Sequence, residues 1–161
     1  MLPDLLKKNL QVVICGTAVA NYSAKVGSYY AGSGNKFWQV LYEVGLTPII
    51  LDSRDYKKLI NYGIGLTDLA KNKAGSDSKI PSHAFDIEKF KKKILKYSPK
   101  VIFFNGKNAA KIYLNKKRVE FGFQKETIGS TRLFVAPSTS GAAKRWWDKK
   151  WWQELSDFIK K

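Results

Sequence analysis

Short, unbroken apolar runs alternate along this chain with stripes of apolar residues at helical spacing. The first run, Val12-Val13-Ile14-Cys15, is closed abruptly by Gly16-Thr17-Ala18-Val19-Ala20. Four apolar residues bounded by glycine suit a strand buried on both faces. A loop rich in small residues and aromatics follows, with Tyr22, Tyr29, Tyr30, Gly27, Gly32 and Gly34, until Asn35-Lys36-Phe37-Trp38 opens a helical pattern. In that helix Phe37, Val40, Leu41 and Val44 form one face, and Gly45 is placed to stop it. Pro48-Ile49-Ile50-Leu51 reads as a short strand or extended piece, and Ser53 as the N-cap of a helix carrying Tyr56, Leu59 and Ile60. Residues 1 to 10, with Leu2, Leu5, Leu6 and Leu10, predict a short helical turn into the first strand and show no function.

Gly63-Ile64-Gly65-Leu66-Thr67-Asp68-Leu69 is apolar except for Thr67 and Asp68, which sets a carboxylate inside a buried-looking segment beside a predicted strand end. Lys71 to Pro81 is polar and rich in Gly and Ser, and predicts a surface loop. Ile87, Phe90, Ile94 and Leu95 then define a helix face, with Lys89, Lys91, Lys92, Lys93 and Lys96 over the rest as a solvated lysine surface. Val101-Ile102-Phe103-Phe104 is a second buried strand, ending in Asn105-Gly106-Lys107 before a helix with Ala109, Ala110, Tyr113 and Leu114. A third, Leu133-Phe134-Val135-Ala136, ends in Pro137-Ser138-Thr139-Ser140-Gly141. Alternation with helices makes the sheet mostly parallel, so the three strand ends converge on one edge, where open α/β sheets place their ligand crevices. In the tail, Trp147, Trp151, Leu155 and Phe158 form a core-packing stripe, and Trp146 lies off it as a surface aromatic.

At 161 residues the chain is most simply one domain, spanning 1 to 161 and long enough to fold without staples. Charge narrows the reading most. Lys plus Arg number 29 against 13 Asp plus Glu, a formal +16, and this excess accompanies 22 aromatics (9 Phe, 8 Tyr, 5 Trp). That pairing points to a surface that tracks phosphates and stacks bases, with a merely solvated lysine surface as the alternative. Cys15, the only cysteine, sits inside an apolar run as a small core residue in a reduced compartment. One cysteine and one histidine, His83, supply no ligand set for structural zinc, an iron-sulfur cluster or a zinc deaminase. Met1-Leu2-Pro3-Asp4 opens no signal-peptide pattern, and no apolar run approaches the ~18 residues of a membrane span. The expectation is a cytoplasmic, nucleoid-associated monomer with no membrane contact.

Gly32-Ser33-Gly34 lacks the third glycine of a dinucleotide fingerprint and lies far from the first strand, no Gly-Lys-Ser/Thr exists for a P-loop, and His83 has no nucleophile motif near it. What remains is a pocket rich in backbone N–H groups, tyrosines and one buried carboxylate. That inventory suits recognition of a planar, weakly polar ligand such as a base. Cleaving a base from its sugar separates an anionic base from an oxocarbenium-like sugar, so the protein must hydrogen-bond the base and position a water. Backbone donors at Gly16, Thr17 and Ala18 fit the first task and a carboxylate the second.

At these residues the chain resembles the mismatch-specific uracil-DNA glycosylases, the Mug and thymine-DNA glycosylase branch of the uracil-DNA glycosylase superfamily. Val12-Val13-Ile14-Cys15-Gly16 is similar to that family's first strand and motif, Asn35-Lys36-Phe37-Trp38 to its Asn-Arg-Phe-Trp helix start, and Thr127-Ile128-Gly129-Ser130-Thr131 to the stretch before its last strand. Pro137-Ser138-Thr139-Ser140-Gly141 resembles its second motif, Pro-Asn-Pro-Ser-Gly and variants. The resemblance implies a three-layer α/β/α fold with a short, mostly parallel central sheet. It also implies an enzyme that flips a damaged or mismatched base from double-stranded DNA and cuts its N-glycosidic bond without metal or cofactor. By position, Tyr30 would stack on the flipped base, with Gly16, Thr17, Ala18 and Asn35 lining its pocket. Ser138, Thr139, Ser140, Gly141, Ala142 and Lys144 would form the loop that grips DNA, with Lys144, Arg145 and Lys36 on phosphates.

Three positions depart from the family pattern. Ala18 stands where the family's water-positioning asparagine belongs, Val19 and Ala20 replace its Pro and Gly, and Ala142 is too small for the usual Leu or Arg wedge. Asp68 therefore takes the water-positioning or general-base role in this reading, against a purely structural Asp68, with Asn21 and Asn105 as the alternatives. Tyr22, Tyr29 and Trp146 are the candidates for the wedge. Without the motif asparagine, discrimination among bases should be looser, so uracil is the expected substrate with hypoxanthine, xanthine or alkylated pyrimidines beside it. A catalytically impaired lesion-binding module and a nucleoside hydrolase are the competing readings.

Overall fold

The computed structural model describes residues 2–71, 74–75 and 85–161. Val12–Gly16 forms β1, Ile64–Asp68 β2, Val101–Asn105 β3, Gly122–Ile128 β4 and Thr131–Ala136 β5. They make one sheet in the order β2-β1-β3-β5-β4, parallel except for β4, which pairs antiparallel with β5. Helices α1 (Asn21–Val26), α2 (Phe37–Glu43), α3 (Ile87–Tyr97), α4 (Lys107–Leu114) and α5 (Lys150–Ile159) surround it, with 3-10 turns at Ser53–Tyr62 and Gly141–Trp146.

The apolar runs become strands because both faces of the sheet are covered. Successive strand residues point to opposite faces, so Val12, Ile14, Val101, Phe103, Phe134 and Ala136 enter one apolar layer, shared with α2, α5 and the turn at Ser53–Tyr62. Val13, Cys15, Ile102, Phe104, Leu133 and Val135 enter the other, closed by α3 and α4. This is the expected three-layer α/β/α arrangement with a mostly parallel sheet. Among the described residues no helix is long and apolar enough to cross a membrane.

Several local expectations change. Residues 2 to 10 form no helix; Leu5 instead makes an antiparallel bridge to Leu66, the amide of each donating to the carbonyl of the other at 2.9 Å. Ile49 and Ile50 are exposed and belong to no strand. The cap of the 3-10 turn is Asp52, whose side chain accepts from the Arg54 amide, rather than Ser53. On α3 the buried residues are Phe90 and Ile94, whereas Leu95 faces solvent. In the tail the expected stripe does pack on the core, with Leu155 buried and Trp147, Trp151 and Phe158 partly so, and Trp152 is fully buried beside it. β4 is not visible in the sequence pattern, because Gln124, Lys125 and Glu126 interrupt its apolar positions where its register with β5 shifts. His83 and residues 72–73 and 76–81 of the expected surface loop lie outside the described residues.

Candidate active site

From β1 the chain passes to β2 on one side of the sheet and then crosses to β3 on the other. The crevice beyond the carboxyl ends of β1 and β3 is thus the point where strand order reverses, the usual ligand position in an open α/β sheet. Gly16 ends β1 and is in register with Asp68 at the end of β2; Asn105 ends β3, in register with Ala136 at the end of β5. The carbonyls of Gly16 and Thr17 accept from the amides of Leu69 (3.0 Å) and Ala70 (2.8 Å), which ties the turn after β1 to the end of β2.

Asp68 is 3 % exposed. Its Oδ2 accepts from Lys71 Nζ at 3.2 Å, and its Oδ1 lies 2.9 Å from where a Cβ on Gly16 would stand. The Tyr30 hydroxyl is 3.6 Å from that same point and, among the described residues, is buried without a hydrogen-bond partner. The Asn105 side chain faces this hydroxyl without closing a well-formed bond to it. Burial raises the Asp68 carboxyl above the usual carboxylate range, an effect the Lys71 charge only partly offsets. Burial and the Asp68 charge push the Tyr30 hydroxyl well up, so it remains a neutral donor. An orphaned donor and a carboxylate oxygen therefore meet above a glycine, at the mouth of the switch-point crevice.

Tyr30 is fixed by its surroundings rather than by its own preference. Its φ of 52° lies in the left-handed region that non-glycine residues seldom adopt. The Trp38 indole N–H donates to the carbonyls of Tyr29 (3.3 Å) and Tyr30 (3.2 Å), and Ser23 Oγ accepts from the Ala31 amide at 3.0 Å. One face of the Tyr30 ring stacks on Phe37, centroids 4.0 Å apart and planes 19° off parallel. The αL backbone and this stack together aim the hydroxyl at Gly16 and Asp68.

Two loops close over the crevice, the one after β1 and the one after β5. Asn105 holds the second: its Nδ2 donates to Thr139 Oγ1 and its Oδ1 accepts from the Thr139 amide, both at 3.0 Å. The Lys36 amide donates to the Thr139 carbonyl at 3.1 Å, and a Cβ on Gly141 would stand 3.0 Å from the Gly34 carbonyl oxygen, so the loops touch backbone to backbone. Beyond them Lys144, Arg145 and Trp146 are exposed on the 3-10 turn. Among the described residues no group of three His, Cys, Asp or Glu side chains gathers into a metal-holding cluster.

A family model described as the uracil DNA glycosylase superfamily matches residues 3–156. The chain belongs to the uracil DNA glycosylase superfamily. Its fold is similar to the solution NMR structure of a "putative Uracil DNA glycosylase" from Methanosarcina acetivorans, with a TM-score of 0.72 and 22% identity over 99% of this chain and 97% of that one. Membership supports DNA glycosylase activity in general terms, and with it a DNA partner.

On this superfamily fold, the residues expected at the site separate into those that meet and those that do not. Gly16, Asp68 and Tyr30 meet. Thr17 is buried and Ala18 half-buried at the turn beside them. Asn35 accepts from the Phe37 amide at 3.0 Å, so its carbonyl oxygen caps α2 and its NH2 is the end directed elsewhere. Thr139, expected on the DNA side, is fully buried as the anchor of its loop, whereas Ser138 and Ser140 are half-buried and Gly141 and Ala142 exposed. Lys36 is half-buried, its Nζ 4.7 Å from the Trp147 ring centroid. Asn21 is exposed at the start of α1, beside Gly75. Tyr29 is 1 % exposed and is withdrawn as a wedge; Tyr22 and Trp146 are exposed. Sequence reasoning missed Asp4 and Lys71, which touch each other next to Asp68. The Asp68/Lys71 spacing of three was the one local signal for Lys71.

Gly16 carries a prediction of its own. Its requirement is space, since its φ is not positive but its Cβ would collide with a carboxylate that Lys71 already holds. Gly16→Ala should cost roughly 1–3 kcal/mol of stability by overpacking and displace Asp68. Thermal unfolding beside single-turnover base release checks this; a variant as stable and active as the parent would show that the crevice has slack.

Proposed function

We propose that the protein is a mismatch-specific DNA glycosylase that flips uracil out of duplex DNA and hydrolyses its N-glycosidic bond, with hypoxanthine, xanthine and alkylated pyrimidines as further substrates. The observation that carries this reading is the convergence of Asp68 Oδ1, the unpartnered Tyr30 hydroxyl and Gly16 at the switch-point crevice. Asp68 acts as general base: it orients a water whose oxygen attacks the sugar C1′ and takes the proton that water gives up. The C1′–N bond breaks as that oxygen bonds, and its electron pair leaves on the base. Backbone amides from Gly16 to Ala18, together with the NH2 of Asn35, receive the charge that develops on the base. The flipped base stacks on Tyr30, which Phe37 supports from behind. The test is release of free base from a duplex carrying one G·U pair, followed by duplexes with each of the other bases. Release of none of them, with lesion binding retained, would leave a binding module on the same fold.

The exposed turn after β5 supplies the grip on DNA. In this reading Lys144 and Arg145 contact phosphates, and Trp146, 60 % exposed and stacked under the Arg145 guanidinium at 4.8 Å, enters the gap left by the flipped base in place of the small Ala142. The two roles predict different salt behaviour. Lys144→Gln with Arg145→Gln should make the slope of log K against log salt shallower by about 0.9 for each phosphate no longer neutralised. Trp146→Ala should weaken lesion binding by roughly 1–3 kcal/mol with the slope unchanged. Equal slopes for wild type and the double variant would remove this turn from the DNA interface.

A further inference from the structure

We propose that Asp4 and Lys71 are positioning residues for Asp68, a two-step ionic brace that fixes which carboxylate oxygen faces the crevice. The inference rests on the glycosylase reading for its consequence in catalysis, but not for its geometry.

The ends of the Asp68 carboxylate have different neighbours. Oδ2 is held by Lys71 Nζ at 3.2 Å, which leaves Oδ1 toward Gly16 and the Tyr30 hydroxyl. The Lys71 ammonium has three protons to donate and three acceptors around it: Asp68 Oδ2, Asp4 Oδ1 at 3.0 Å and the Tyr29 hydroxyl at 3.1 Å. It therefore has no freedom to swing to the other carboxylate oxygen. Asp4 is secured in turn by Thr67 Oγ1, which donates to its Oδ1 at 2.8 Å, and by Lys93 Nζ on its Oδ2 at 2.7 Å. The N-terminal segment that carries Asp4 is pinned by the Leu5–Leu66 bridge, and the Tyr29 hydroxyl donates to the Pro3 carbonyl at 3.0 Å. Two carboxylates and two ammonium groups balance in charge around a carboxylate that is 3 % exposed.

The signs of the electrostatics separate the two partners. Asp68 faces Lys71, Asp4, Lys93 from α3, Cys15 from β1, and the hydroxyls of Tyr29 and Tyr30 from the loop after α1. Burial pushes the thiol and both hydroxyls up, so these three stay neutral over the working range. The Lys71 charge lowers the Asp68 pKa and the Asp4 charge raises it. Lys71→Met should therefore move Asp68 titration to higher pH, and Asp4→Asn should move it to lower pH, although both loosen the same brace. Lost orientation lowers the rate in both.

The experiment follows the Asp68 side-chain carboxyl by carbon-13 NMR titration in wild type, Lys71→Met, Asp4→Asn and Lys71→Arg, with single-turnover base release against pH on the same proteins. The expected result is an upward shift of about one unit or more in Lys71→Met, a smaller downward shift in Asp4→Asn, and return toward wild type in Lys71→Arg. The acid limb of base release should move in the same directions, with maximal rates down roughly tenfold or more in Lys71→Met and Asp4→Asn. If Lys71→Met does not fold, the near-isosteric Asp4→Asn decides alone. An Asp68 titration that is unmoved, or that moves upward in Asp4→Asn, overturns the brace. Shifts as expected in the variants, with no base released by wild type, would uphold the brace and refute the glycosylase reading.

Discussion

Asp68→Asn should slow base release by orders of magnitude while leaving lesion binding nearly intact. The substitution is close to isosteric, and the amide oxygen can still accept from Lys71 Nζ, which now sits 3.2 Å from Oδ2. In the proposed mechanism, what is lost is the negative charge beside the sugar as positive charge develops on it and the capacity to take a proton from water. General-base contributions of this kind are worth about 10²–10⁴ in rate, so single-turnover release from a G·U duplex should fall by that factor with little change in Kd. Wild-type release should decline as pH falls through the Asp68 pKa, which burial places above the ordinary carboxylate range, and the residual rate of the variant should lack that limb. Release that survives the substitution would move the chemistry to Asn105 or to the backbone amides, because Asn21 is exposed beside Gly75.

The strand ends that build this site were legible because each follows a local pattern. Val12–Cys15, Val101–Phe104 and Leu133–Ala136 are buried on both faces, so every residue is apolar and the break in that pattern marks the crevice edge. Asp68 stood out for the same reason, as a carboxylate in a segment with nothing else ionisable. β4 escaped because it is an edge strand with one face partly solvated, and Gln124, Lys125 and Glu126 read as loop. Asp4 escaped for a different reason. Its partners are Thr67, Lys71 and Lys93, none nearer than 63 residues in sequence, and nothing around Asp4 itself signals which charges folding will bring to it. The same holds for Asn105 and Thr139, 34 residues apart, whose paired hydrogen bonds set the height of the loop after β5. Periodicity shows which positions are inside; it does not show which buried polar groups find each other.

In the tail, periodicity finds the core stripe but not its most buried neighbour, and there the largest loss of stability is expected. Trp151 packs against the core as its spacing predicts, while the α5 backbone turns Trp152 fully inward against Phe103 (4.6 Å between centroids), Phe37 (6.1 Å) and Trp147 (6.1 Å). Trp151 lies half-buried over Gly122, where it packs on Phe121. The Trp152 indole N–H also donates to the Pro137 carbonyl at 3.0 Å, which fastens the start of the loop after β5 from beneath. Trp152→Ala should therefore cost about 3–5 kcal/mol, a large share of a domain's stability, whereas Trp151→Ala should cost much less. Trp152→Phe separates the two contributions: most of the packing stays, and the loss of about 1–3 kcal/mol reports the orphaned Pro137 carbonyl. Denaturant unfolding measures the stabilities, and amide exchange over residues 138–147 reads the loop. Because Phe37 stacks on Tyr30 as well as touching Trp152, a Trp152→Phe protein that remains folded should also bind lesion DNA less tightly. Tight binding with an unprotected loop would show that Tyr30 is held by Trp38 and Ser23 alone.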